Sequence, residues 1–300
     1  MREIVATIQA FVDFPKIRLA DSRFSSDPAL IRDEDIERLA GEVRAAWNLG
    51  DGPISDVVSL LEAMGCVVAT FAFGAHDLSA FSQGATEVPY VLLNADETAA
   101  VRKRFNAAHE LGHLLAHWHV PKETAARLEI HKELERQAHK FASAFLFPAR
   151  SFAEEVYSLS IDALLPIKKR WGVSIQMIVR RARDLGMINQ DRYERSCREL
   201  SRRGYRTKEP LDDTLPVETP KLLSKSIAMM IDEKVTTRGD LLHRLPFSPA
   251  DIEILTSMPR GYLSSADWGH VTDIGIRPRT EPSNTALDGD LIPFRPRPVA

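Results

Sequence analysis

The 300-residue sequence predicts an α+β fold: one domain with a small β-sheet and site-bearing helices, then a mostly helical C-terminal region. Three observations predict it. Short segments rich in β-branched and aromatic residues cluster between residues 66 and 96. Apolar residues at helical spacing stand on both sides of that cluster. Beyond Pro148 every periodic segment reads as helix.

The elements follow in order. Ile4 to Val12 suits a helix, with loop at Pro15 and Pro28. "DEDIERLAGEVRAAWNLG" predicts a helix capped by Asp33 or Asp35, striped by Ile36, Leu39, Ala40, Val43 and Trp47, and ended by Gly50. "ISDVVSLLEAMG" repeats the pattern and stops at Gly65. "CVVATFAFG" reads as a strand, and "SAFSQ" and "PYVLLNAD" as two more. "PYVLLNAD" suits equally an internal strand or an edge strand that pairs with an extended peptide. "DETAAVRKRF" enters the next helix, "FNAAHELGHLLAHWHV", without a break. Residues 119–128 form a connection. "HKELERQAHKFASAFLFP" is then a helix with Leu134, Ala138, Phe141, Ala142 and Phe145 at helical spacing, stopped near Pro148. "IDALLPIKKRWGVSIQMIVRRARDLGMI" predicts two helices around a turn at Gly172, with Ser174 as cap. "KEPLDDTLPVETP" reads as a proline-rich linker, 221–258 as a small helical unit, and 271–300, with five prolines, as a poorly ordered tail. The expected divisions are an extension at 1–33, the sheet-and-helix domain at 34–160, a basic region at 161–209, C-terminal helices at 210–270 and the tail at 271–300.

Composition excludes several classes. Hydrophobic content of 44% and charged content of 27% are those of an ordinary globular protein. A net charge of -3 implies no overall preference for nucleic acid or membrane. Residues 163–209 nevertheless carry 13 Lys/Arg against 5 Asp/Glu, which points to one basic surface. Two cysteines, Cys66 and Cys197, argue against a disulfide framework and fit a reducing compartment. The N-terminus lacks the apolar core of a secretory signal, and Glu62 interrupts the most apolar stretch. The expected location is cytoplasmic, with no membrane partner.

The chemistry sits in "HELGH". Residues i and i+4 share a helix face, so His109 and His113 can reach one metal ion. Zinc suits two imidazoles plus a carboxylate, with a position left for water. Glu110 lies about 100° around the helix, beside the water that the metal activates, where it can act as general base and acid. The helix is apolar elsewhere (Phe105, Ala108, Leu111, Leu114, Leu115), so unpaired imidazoles there would be costly. For the third ligand several residues stand open. His119 nearly completes H-E-x-x-H-x-x-G-x-x-H, but Ala116 replaces the glycine that would turn the chain. Glu123, Glu129, Glu133 and Glu135 are the carboxylate candidates. Glu135 shares a face with Ala138, His139 and Ala142, where small residues let two helices approach, and Glu133 lies about 200° away, toward solvent.

"RKRFNAAHELGHLLAH" followed by "ELERQAHKFASAFLFP" resembles the ImmA/IrrE family of zinc metallopeptidases. Phe105, Ala108, His109, Glu110 and His113 match its first motif; Glu135, Ala138, Phe141, Ala142, Leu146 and Pro148 match its second. The resemblance covers roughly residues 34–260. It implies a zincin-like metallopeptidase domain with Zn2+ held by His109, His113 and Glu135, and Glu110 as the catalytic residue. It also implies a narrow protein substrate, a helix-turn-helix repressor or an antitoxin, cut as a regulatory step. His139 departs from the family's asparagine and stands as an outer-shell donor or accessory ligand. His117 is read as a helix-end polar contact. The 33 residues before the resemblance are too few for the DNA-binding domain that precedes the peptidase in many family members, so DNA targeting would come from a partner.

The basic segment "LLPIKKRWGVSIQMIVRRARDLG" resembles a helix-turn-helix, which makes a DNA-binding regulator the second functional class. DNA contact through 163–209 is not favoured. Lys168 stands where a small residue is wanted, and Arg181 where a core aliphatic is usual. The third class is a metal-binding toxin–antitoxin component without catalysis.

Overall fold

The computed structural model describes residues 1–19, 24–25, 27–72, 80–83 and 88–264. The predicted tail at 271–300 lies outside the described residues, as do the last residues of "CVVATFAFG" and the first of "SAFSQ". In chain order the elements are α1 (Arg2–Gln9), a 3-10 turn (Pro28–Leu30), α2 (Asp33–Ala46), α3 (Val57–Ala63), β1 (Val67–Phe71), β2 (Ala80–Gln83) and β3 (Tyr90–Asn94). They continue with α4 (Ala100–Ala116), α5 (Lys122–Ala125), α6 (Leu128–Leu146), α7 (Ala149–Glu155), α8 (Ile161–Trp171), α9 (Ile175–Asp184) and α10 (Gln190–Arg202). Helices α11 (Leu222–Asp232), α12 (Arg238–Arg244) and α13 (Pro249–Thr256) follow. The fold is mostly helical α+β with one small mixed sheet. No helix among the described residues is long and apolar enough to cross a membrane.

The chain forms two units, Lys16–Pro220 and Met1–Pro15 with the chain from Lys221 onward. In the smaller unit, Ile4, Val5 and Ile8 of α1 are buried, as are Leu223, Ile227, Met230, Leu241 and Ile252. The Glu253 carboxylate accepts from the backbone N–H groups of Gly261 (2.8 Å) and Leu263 (2.7 Å), which holds the chain that leaves α13.

In the larger unit the sheet order is β1-β3-β2. β3 pairs in parallel with β1 and antiparallel with β2. "PYVLLNAD" is therefore the internal strand of its two readings, not an edge. Tyr90, Val91 and Leu93 are buried, which a strand flanked on both sides requires. Among the described residues β2 has one strand neighbour, so the free edge on that side is β2.

Helix α4 begins at Ala100, later than the lead-in from Asp96 suggested. Polar side chains take up the backbone donors there: Asn94 Oδ1 accepts from Asp96 N (2.9 Å) and Glu97 Oε1 from Ala99 N (2.9 Å), favouring a turn over helix. The connection 119–128 holds the short α5, and α6 begins at Leu128. Helix α4 packs on β2 and β3 and also on α6, which in turn packs on α2. The approach of α4 to α6 is close at Gly112. A Cβ on that residue would lie 3.1 Å from the Phe141 ring and 3.3 Å from the Ala138 Cα.

Segment 208–220 is not a passive linker. Glu209 and Asp212 are buried and bind the Lys168 ammonium at 2.7 and 2.6 Å. Glu209 also accepts from Ile175 N (2.7 Å) and Gln176 N (3.0 Å), joining the predicted cap Ser174 at the start of α9. Glu218 pairs with the Arg104 guanidinium and accepts from Val57 N (2.9 Å) and Val58 N (3.1 Å). Gly172 makes the predicted turn between α8 and α9 with φ +63°, a conformation that costs glycine nothing. Arg181 is also buried and binds Glu37 at 2.7 and 2.5 Å. Lys168 and Arg181, the two residues that disfavoured the helix-turn-helix reading, thus face inward in ion pairs.

Two outcomes follow from this packing. Gly112→Ala should destabilise the protein by about 1–3 kcal/mol despite alanine's better helix propensity, read as a lower urea midpoint; a raised midpoint would mean the helices do not touch there. Lys168→Ala leaves two carboxylates buried without their cation and should cost about 3–5 kcal/mol in the same measurement.

Candidate metal centre

The close approach of α4 and α6 sets His109 and His113 against Glu135. Their Nε2 atoms are 3.0 Å apart. Glu135 places Oε2 3.2 Å from His109 Nε2 and Oε1 3.2 Å from His113 Nε2. His109 is buried, at 8% exposure, and His113 and Glu135 are half-buried. Burial, partly opposed by the hydrogen bond to Glu135, lowers the His109 pKa to about 4, so its ring is neutral at pH 7. The ring nitrogens of His109 and His113 beside it hold the Glu135 carboxyl well below the usual carboxylate range.

Glu110 is buried beside this group and outside it. Burial raises its pKa, partly opposed by a hydrogen bond from the Ser82 hydroxyl on β2. The ring of His139 lies 4.5 Å from that of His109, centroid to centroid. Its Nδ1 donates to the backbone carbonyl of Glu135 (2.8 Å), which leaves Nε2 free to bind a metal. His109, Glu135 and His139 offer donor atoms within 4.8 Å of one another. Two three-donor sets therefore share His109 and Glu135, and the one completed by His113 has donor separations of 3.0 and 3.2 Å.

The other predicted residues separate from this group. His119 Nε2 bonds the Ser25 carbonyl (2.9 Å). Glu123 is exposed and Glu129 pairs with Lys132. Glu133, expected to face solvent, is half-buried and bonds both Arg136 and Gln137. His117 is the helix-end polar contact expected of it, at the C-cap of α4. It is buried between His113 Nδ1 (2.9 Å) and Gln137 Oε1 (3.0 Å), and burial lowers its pKa to about 3.

Gln137, Gly112 and Ser82 were missed in the sequence. Gln137 carried a signal: a polar residue in phase with buried Leu134 and Phe141 on an otherwise amphipathic helix. Glu135 and His139 open onto a cleft of about 600 Å³, also lined by Phe105, Met177, Arg180 and Tyr193.

The donor set fits a divalent ion. Ligand atoms held tetrahedrally at zinc–nitrogen and zinc–oxygen distances stand roughly 3.4 Å apart, close to the 3.0 and 3.2 Å separations here. The neutral ring of His109 supplies the lone pair that metal binding requires.

A peptidase-family model described as an IrrE N-terminal-like domain matches residues 61–183. No curated protein matches. A solved structure of a Mycobacterium tuberculosis transcriptional regulator is similar at 18% identity and a TM-score of 0.37, over 52% of this chain and 49% of that one. This chain thus spans about half the length of that structure. The family match encloses both helices of the donor set, and residues 61–183 are an IrrE N-terminal-like domain of the ImmA/IrrE metallopeptidase family.

Proposed function

We propose that the chain is a zinc-dependent endopeptidase in which His109, His113 and Glu135 hold the ion and Glu110 moves the proton. The observation that carries the reading is the convergence of two imidazole nitrogens and one carboxylate beside a buried glutamate. A divalent metal at such a site supplies Lewis acidity, polarising a carbonyl and acidifying water. The Glu110 carboxylate takes a proton from the attacking water and passes it to the leaving amine. Burial raises its proton affinity, and the Ser82 hydroxyl holds it toward β2. An extended substrate segment pairs with the edge of β2, the outer strand that packs on the helix bearing Glu110. The cleft next to Glu135 and His139 takes a substrate side chain. The substrate class is a helix-turn-helix repressor or an antitoxin, a proposal supported by the family resemblance.

Glu110→Gln should keep its zinc, measured by elemental analysis, and lose cleavage of such a substrate by about 10²–10⁴-fold. Cleavage that survives this substitution would end the peptidase reading. For the ligands, Glu135→Ala should lower zinc occupancy while His119→Ala leaves it nearly unchanged; the reverse result would transfer the third position to His119.

A further inference from the structure

We propose that His117 and Gln137 are positioning residues that set the tautomer of His113, so that its Nε2 lone pair is turned toward the metal. The inference rests on His113 being a ligand. It starts from the Gln137 amide, whose residue is fully buried. The Gln137 Nε2 group lies 2.8 Å from the Pro28 carbonyl oxygen and 2.8 Å from Glu133 Oε1. A backbone carbonyl can only accept, so this end of the amide must be the NH2 group.

The rest follows by donor and acceptor logic. Gln137 Oε1, an acceptor, stands 3.0 Å from His117 Nε2, so that nitrogen carries the hydrogen. A neutral imidazole has one N–H, and burial disfavours a second. His117 Nδ1 is therefore bare, 2.9 Å from His113 Nδ1, which must donate to it. This leaves His113 Nε2 without a hydrogen, on the side of His109 and Glu135. Metal-binding histidines commonly have the other ring nitrogen fixed by such an outer partner. His109 contrasts with it: its Nδ1 is buried without a hydrogen-bond partner. The relay runs from Pro28 through Gln137 and His117, so the 3-10 turn at Pro28–Leu30 anchors the orientation of one ligand.

Long-range imidazole 1H–15N spectra of the metal-free full chain test the tautomer directly. His113 should carry its hydrogen on Nδ1; a hydrogen on Nε2 would overturn the relay, with no variant needed. Zn2+ titration against a chromophoric chelator tests the consequence. His117→Phe keeps a ring but removes the acceptor and should weaken zinc binding by about 10–100-fold. His117→Gln, which can accept from His113 and donate to Gln137, should recover most of that loss. Equal affinity in both variants, whether lost or kept, counts against the relay. His113→Ala separates the two layers. If it leaves zinc affinity intact, the ligand reading itself fails; if it abolishes binding while His117→Phe does not, only the relay fails.

Discussion

The site depends on one packing constraint, the close approach of α4 and α6 at Gly112. A Cβ at Gly112 would crowd Phe141 and the Ala138 backbone and push the two helices apart by a few tenths of an ångström. One turn from that contact, Glu135 meets His109 and His113 at 3.2 Å. A carboxylate reaches little farther than its own stem, so a small increase in helix separation would open the donor set. The small residues of this interface are thus part of the site's geometry, although none of them offers a donor atom.

Buried cations bind the surrounding framework together. Arg44 donates to the carbonyls of Gly50 (2.8 Å), Gly52 (2.5 Å) and Phe145 (2.6 Å). Arg104 joins α4 to the Ile54 carbonyl and to Glu218, and Lys168 joins α8 to Glu209 and Asp212. Each connects segments far apart in sequence, and each leaves a costly unpaired group if its partner is removed. These links also revise the meaning of the basic segment. Its positive count includes Lys168 and Arg181, whose charges are neutralised inside the protein. The exposed basic surface is therefore smaller than the composition of 163–209 suggests.

Much of this was legible along the chain because it rests on local periodicity. The H-E-x-x-H spacing put two histidines on one helix face, and the phase of Glu135 with Ala138 put a carboxylate on the small-residue face of another. Gly172 and Ser174 marked a turn and a cap through backbone rules that act within a few residues. The errors arose where partners are remote. Segment 208–220 looked like a linker because its prolines and acids say nothing of Lys168 or Arg104. Glu133 looked solvent-facing because helical phase alone does not show Gln137 reaching back to it.

By itself, then, the sequence determined the helices that carry His109, His113 and Glu135 and the place of Glu110 beside them. Those follow from the pitch of a helix and from the chemistry of imidazole and carboxylate groups. The tertiary structure decided which strand is internal, which cations face inward and how His113 is held by His117 and Gln137. Such choices depend on distances between segments that the order of residues does not contain, and a hydrogen bond is made or lost within a few tenths of an ångström.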